Sequence, residues 1–185
     1  MIPIERIRND FSNIRRGWGG SLSESALEER VQALNLVVNK EKGWVMDVGC
    51  GGSEVEYYLE MNGFNVVAVD CDPKCLMYFD QVHRRKNFVC CDIYRHHFDP
   101  KSFKYILIIS TIEHFSNDRK LVEILRPLLE KDGKLIITAP YTNFEIAKAT
   151  GQRCKVYDPE SIKELTSGWV VSFQGFKNFF VLELR

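Results

Sequence analysis

Apolar residues in this chain switch repeatedly between short continuous runs and a helical spacing, the signature of alternating strands and helices. Trp44 to Val48 is the first run and predicts a buried strand. The cluster Gly49-Cys50-Gly51-Gly52 ends it, and an amphipathic helix is expected from residue 54 to 62, stopped by Asn62-Gly63. Asn65 to Val69, rich in β-branched residues and closed by Asp70, predicts the second strand. Pro73 suits the first turn of a helix running to about His83. Phe88 to Cys91 predicts a third strand ending in Asp92. The fourth, Tyr105 to Ile109, is apolar on both faces, as a central parallel strand should be. A helix over 118–130 carries Leu121, Ile124, Leu125, Leu128 and Leu129, with Pro127 expected to kink it. Asp132-Gly133 then turns into a fifth strand, Lys134 to Ala139, which Pro140 ends.

The two ends differ in kind. Residues 1–20 are basic and aromatic and predict an arm with a flexible exit at Gly17-Trp18-Gly19-Gly20. Ser21-x-x-Glu24 and Ser25-x-x-Glu28 both fit a capping box, and Leu27, Val31, Leu34 and Val38 give the following helix one apolar face. Lys42-Gly43 ends that helix. At the far end, Asp158-Pro159-Glu160 starts a short helix reaching about Thr166. Strands over Val170–Phe173 and Asn178–Leu184, joined by Gln174-Gly175-Phe176, are expected to pair antiparallel. The reading is a single α/β domain over residues 1–185, with an arm and helix in 1–40 and a sheet core in 44–185. Its architecture is a three-layer sandwich on a mostly parallel sheet with a C-terminal antiparallel hairpin.

Composition narrows the function classes. The chain is 45% hydrophobic and 27% charged, values of a folded protein, so a packed core is expected. Lys+Arg and Asp+Glu are equal at 25 each, so no overall field attracts nucleic acid or a membrane surface. Local clusters, Arg6, Arg8, Arg15 and Arg16 and then His83-Arg84-Arg85-Lys86, suit solvated faces. Six cysteines stand at 50, 71, 75, 90, 91 and 154. Their spacing lacks the paired CxxC knuckles of a zinc site, so no metal is expected, and reduced thiols are the default. No apolar signal region opens the chain and no run reaches membrane-spanning length, so a cytoplasmic location is expected. Nothing in the pattern specifies an oligomeric state.

The candidate chemistry lies at strand ends, where open parallel sheets bind ligands. Asp47 and the glycine turn, Asp70, Asp92 and Ser110 to His114 occupy four of them. Each aspartate alone suits a turn or a helix cap, but three at consecutive strand ends suggest one crevice. Asp70 stands about twenty residues past the glycine turn, where a carboxylate can accept both hydroxyls of a ribose. A dinucleotide fingerprint beginning at Gly49 would require glycine at position 54, which is Glu54, an acid that opposes a pyrophosphate there. No P-loop exists either, since Gly133-Lys134 is followed by Leu135. A nucleoside ligand without polyphosphate is expected, carrying a cationic group near Asp47.

Asp47-Val48-Gly49-Cys50-Gly51, Asp70, Asp92 and Ile109-Ser110-Thr111-Ile112-Glu113-His114 together resemble class I S-adenosylmethionine-dependent methyltransferases. Leu125 to Ile137 resembles their kinked helix, turn and fifth strand, so the likeness spans roughly residues 40–140. It implies a Rossmann-like, seven-stranded fold and S-adenosyl-L-methionine as cofactor. By position, it implies main-chain contacts from Gly49, Cys50 and Gly51 to the methionine end, with Asp47 near the ammonium. It places Asp70 at the ribose with Cys71 beside it, Asp92 at the adenine amino group, the Ile93 backbone at the ring edge and Ser110 under the methionine portion. The family's third glycine is Ser53 here, a departure that bears on loop geometry.

The implied reaction is an in-line displacement, for which alignment of donor and acceptor supplies most of the catalysis. His114 is the candidate general base if the acceptor must lose a proton, and it equally suits a residue structuring its loop. Glu113 suits substrate orientation or capping of the next helix, and His96-His97 a surface pair. Trp18 suits either a lid or packing on the first helix. The expected acceptor is a small molecule, methylated at oxygen or nitrogen. An RNA acceptor held by the arm's arginines is one alternative, and a non-catalytic cofactor-binding domain is another.

Overall fold

Period-two alternation along each strand divides the core in two, and the apolar runs pair into one sheet because each buries both faces. The protein is represented by a computed structural model that describes residues 1–17, 22–52, 54–75, 87–140, 155 and 157–185. The strands are β1 (Trp44–Val48), β2 (Asn65–Asp70), β3 (Phe88–Cys90), β4 (Phe103–Ile109), β5 (Leu129–Pro140), β6 (Val171–Gly175) and β7 (Phe179–Leu184). They form a seven-stranded sheet in the order β3-β2-β1-β4-β5-β7-β6. The first five run parallel to one another, while β7 runs antiparallel to both β5 and β6. The expected three-layer, Rossmann-like arrangement with a terminal hairpin is therefore present.

Met46, Val48, Ile106, Ile108, Leu135 and Ile137 point to one side of the sheet. Leu121, Val122 and Leu125 of α4 (Asp118–Leu125) and Leu165 of α5 (Pro159–Leu165) pack over them. Val45, Tyr105, Leu107, Ile109 and Ile136 point to the other side. That side is covered by α1 (Ile4–Gly17), α2 (Glu24–Val38) and α3 (Glu54–Met61), through Ile7, Phe11, Val31, Leu34, Tyr58 and Leu59. Burying this much apolar surface on both faces is the main stabilising term, at about 25 cal/mol per Å² removed from water.

Four expectations change. The N-terminal arm is a helix, because Ile4, Ile7, Phe11 and Ile14 recur at helical spacing and pack on the core, with the Phe11 ring edge-on to Tyr58 at 6.4 Å. The next helix is capped by Ser23 rather than Ser25, its hydroxyl accepting from the Ala26 N–H at 3.2 Å, and Ser21 lies outside the described residues. The expected helix 118–130 ends at Leu125, and the chain tightens into a 3-10 turn over Arg126–Leu128, since Pro127 has no N–H to continue the ladder. The turn at Asp132-Gly133 is a bulge inside β5: Phe103 pairs with Leu129 and Tyr105 with Lys134, a shift in register between them. The helix begun at Pro73, the exit around Trp18, Ser53, His83-Arg84-Arg85-Lys86 and the connection from Tyr141 to Cys154 lie outside the described residues beyond 73–75.

Strand order reverses between β1 and β4, whose carboxyl ends therefore diverge into connections on opposite faces of the sheet. The crevice this opens is where a ligand can reach main chain without displacing the core.

Candidate active site

The glycine turn is built by steric necessity. Gly49 has φ of 74°, and a Cβ on it would lie 2.1 Å from Cγ2 of Thr111 on the neighbouring loop. Gly51, at φ of 52°, also occupies the left-handed region but faces open space. The turn is pinned by Gly49 N–H donating to the Val69 carbonyl at 2.7 Å and by Gly51 N–H donating to Oδ2 of Asp70 at 3.0 Å. Thr111 closes the other side, its hydroxyl donating to the carbonyls of Ile109 (2.9 Å) and Gly49 (3.2 Å).

Two cavities meet at this turn. The larger, about 650 Å³, is lined by Val48, Val69 and Ile93 as its apolar walls and by Asp70, Cys71, Asp92 and His114, with Gly49 and Thr111 at the turn. The smaller, about 190 Å³, is lined by Arg30, Asp47, Gly49, Cys50, Gly51, Glu54, Ser110 and Thr111. The three aspartates, the glycine turn, Ser110, Thr111 and His114 thus border one cavity or the other, while Ile112 and Glu113 border neither. Asp47 does not join Asp70 and Asp92: it faces the smaller space, across the glycine turn from them. The three acids are therefore divided between two cavities that meet at the turn, not gathered in the single crevice expected.

Each acid is set by its loop. The second carboxylate oxygen of Asp70 accepts from the Asp72 N–H at 2.9 Å, and Asp92 Oδ1 accepts from the Tyr94 N–H at 3.0 Å. These short-range bonds fix the carboxylates while leaving lone pairs for a ligand. Asp92 also pairs with Arg95 at 3.2 Å. Asp47 is buried, and burial raises its pKa, with Arg30 acting in the opposite sense. Burial and the carboxylates of Asp70 and Asp72 push the Cys75 thiol up to about 11, and burial likewise raises Cys71 and Cys91. These thiols stay protonated at neutral pH, so none is an activated nucleophile.

After β4 the chain makes a sharp excursion. Ser110 has φ of 49°, rare for a residue with a side chain, and a 3-10 turn over Ile112–His114 follows. That turn sends His114 toward the larger cavity and Glu113 inward. Glu113 is buried, its Oε2 has no hydrogen-bond partner among the described residues, and its Oε1 lies 3.9 Å from Nε2 of His114. Burial, reinforced by Glu29, pushes the Glu113 carboxyl up to about 7. The folded group keeps its proton where the unfolded one, near 4.5, has lost it. Its stabilisation is full in acid and disappears as pH rises through about 7. Glu113→Gln, which cannot ionise, should therefore gain stability over the unsubstituted protein between about pH 4.5 and pH 7, by up to about 2–3 kcal/mol. Melting curves across that range read the gain directly.

Beside this turn, Asp118 accepts from the Tyr157 hydroxyl and from Lys155 Nζ, both at 2.7 Å, which ties the chain entering α5 to the site. His96 and His97 are exposed, and the His96 ring lies 4.5 Å from that of Phe98. Among the described residues no group of three or more histidines, cysteines or acids is arranged to hold a metal ion, and no helix is long and apolar enough to cross a membrane.

The strand ends do not reveal Arg30 or Glu29. Both come from α2, and only packing brings Arg30 to the smaller cavity and Glu29 to Ser110 and Thr138.

A sheet in this order, with a glycine turn after β1 and acids after β2 and β3, is that of a class I S-adenosylmethionine-dependent methyltransferase. Residues 46–137 match the family described as Methyltransferase domain, and the class uses S-adenosylmethionine. It is 28% identical over 156 residues to an uncharacterized protein of Methanocaldococcus jannaschii, covering 84% of this chain and 67% of that one. It is also 24% identical over 196 residues to the ubiquinone biosynthesis O-methyltransferase of Rickettsia bellii, covering 90% and 81%. Its fold is similar to that of Haemonchus contortus phosphoethanolamine N-methyltransferase 2 in complex with S-adenosyl-L-methionine, with a TM-score of 0.75 at 16% identity, over 98% of this chain and 57% of that one.

Proposed function

We propose that this methyltransferase acts on oxygen or nitrogen of a small molecule, with the cofactor laid across the glycine turn. The observation that carries the reading is the turn itself, whose bare main chain separates two cavities of different chemistry. The larger suits adenosine: it is mostly apolar, has carboxylates at two strand ends, and falls in the size range of small-molecule sites. Asp70 receives the ribose hydroxyls with Cys71 beside it, Asp92 the adenine amino group, and the Ile93 backbone the ring edge. The smaller cavity suits a zwitterion. Asp47 takes the ammonium, Arg30 the carboxylate, and Gly49, Cys50, Gly51 and Ser110 the chain between.

When bound, S-adenosylmethionine supplies a methyl group that is already activated. What remains to the protein is alignment and, for some acceptors, a proton. His114 borders the larger cavity and is the residue placed to take that proton from a hydroxyl. His114→Gln should lower kcat on a hydroxyl acceptor by roughly a hundredfold and leave a neutral amine nearly unaffected. Assays of the two acceptor types across pH separate the cases.

One feature favours a small acceptor over RNA. Arg8 of α1 is committed to Glu24 and Glu28 of α2, and Arg6 pairs with Asp10 at 3.5 Å. Arg8 is thereby held between two carboxylates at the helix contact and is not free for a phosphate backbone, whereas Arg6 pairs only within its own helix and stays exposed. The test is a transfer assay with radiolabelled methyl donor against panels of small hydroxylic and amine compounds, with RNA in parallel. Label in a small molecule supports the reading. Label in RNA alone, with salt-dependent retention, overturns it.

A further inference from the structure

Glu29 is a buried carboxylate, 3% exposed, in a helix that otherwise packs by its apolar face. It reaches across to the sheet and accepts two hydrogen bonds, one at each oxygen. The Ser110 hydroxyl donates to Oε2 at 2.6 Å, and the Thr138 hydroxyl donates to Oε1 at 2.7 Å. Ser110 follows β4 and Thr138 lies in β5, so a single side chain of α2 ties two strand ends together. The Ser110 N–H donates to the Thr138 carbonyl at 3.1 Å, completing a closed set of contacts.

A buried carboxyl group fastened by two hydroxyls is an expensive tie. Apolar residues of similar volume often serve stability better than buried ionic groups, so its presence calls for a reason other than stability. Its position supplies one. Ser110 is the residue held at φ of 49°, and the next residue, Thr111, packs on the one face of Gly49 that admits no Cβ. On the helix side the next residue is Arg30, which lines the smaller cavity opposite Asp47. Glu29 therefore determines where the walls on both sides of that cavity stand, without lining it.

We infer that Glu29 is a positioning residue for the amino-acid end of the cofactor, fixing Arg30 on α2 and the Ser110-Thr111 turn around the smaller cavity. The inference rests on the assignment of that cavity to the methionine portion. It separates Glu29 from a residue of general structural importance, because its effect is confined to one end of the ligand.

Two ligands test it: S-adenosylhomocysteine, and 5′-methylthioadenosine, the same adenosine thioether without the amino-acid end. Calorimetry on Glu29→Ala should show S-adenosylhomocysteine weakened roughly tenfold and 5′-methylthioadenosine held within about twofold. Glu29→Gln keeps an acceptor for Ser110 and offers a donor to the Thr138 oxygen, so it should restore S-adenosylhomocysteine to within about threefold. Should Glu29→Ala not fold, Thr138→Val removes one of the two fastenings with little change of volume and should show the same split in smaller measure. Equal weakening of both ligands, or of neither, overturns the inference while leaving the cofactor site standing. Failure of the unsubstituted protein to bind S-adenosylhomocysteine removes the site assignment and this inference with it.

Discussion

Asp70→Ala is expected to weaken S-adenosylhomocysteine binding by roughly a thousandfold, about 4 kcal/mol, in a protein that still folds. A carboxylate receiving two ribose hydroxyls forms two charge-assisted bonds, each contributing about 1.5–3 kcal/mol. Asp70 also holds the site before any ligand arrives, because its oxygens accept from the N–H groups of Gly51 and Asp72. The alanine variant thus loses ligand contacts and the preset shape of the glycine turn at once. Asp70→Asn retains one acceptor oxygen and should fall between the two. Calorimetry with each variant, alongside thermal melts to confirm folding, reads both effects; near-native affinity in the alanine variant would remove the ribose assignment.

Gly49→Ala should have the largest effect on the protein as a whole. A Cβ there would lie 2.1 Å from Thr111 Cγ2 and 3.0 Å from its Cβ, and φ of 74° disfavours any L side chain. The loop after β4 cannot yield easily, since Thr111 is bonded to two carbonyls and Ser110 to Glu29. A loss of about 3 kcal/mol or more of stability is expected, with cofactor binding abolished. Gly51→Ala is the matched control: its φ of 52° is unfavourable but nothing lies within 4 Å of the added atom. It should cost about 1–2 kcal/mol. Thr111→Ser, which removes the clashing methyl, should recover part of the Gly49→Ala loss, and denaturant melts of the double variant measure that coupling.

How far the sequence shows these features depends on whether the contact is local. β1, β2 and β4 are plain in it because β-branched runs stop at Gly49, Asp70 and Ser110, and those same stops carry the chemistry. The hairpin of β6 and β7 is equally plain from its short connection. The helix of the arm is less plain, because arginines stand between Ile4, Ile7, Phe11 and Ile14, whose helical spacing is what buries it. The 3-10 turn after α4 was half legible, since Pro127 marks a break but not whether a kinked helix or a new strand follows. Glu29 and Arg30 left no trace at all. Glu29 meets Ser110 and Thr138 across 81 and 109 residues, a pairing only tertiary packing creates. The division of the three acids between two cavities was equally hidden, since it depends on which way each strand end turns around Gly49.

The most direct measurement is a crystal structure with S-adenosylhomocysteine bound. The account predicts ribose hydroxyls within hydrogen-bond distance of Asp70, adenine against Ile93 and Asp92, and the amino-acid end between Arg30 and Asp47. Adenosine found on the Arg30 side of the glycine turn, or a ligand touching neither Asp70 nor Gly49, would contradict it.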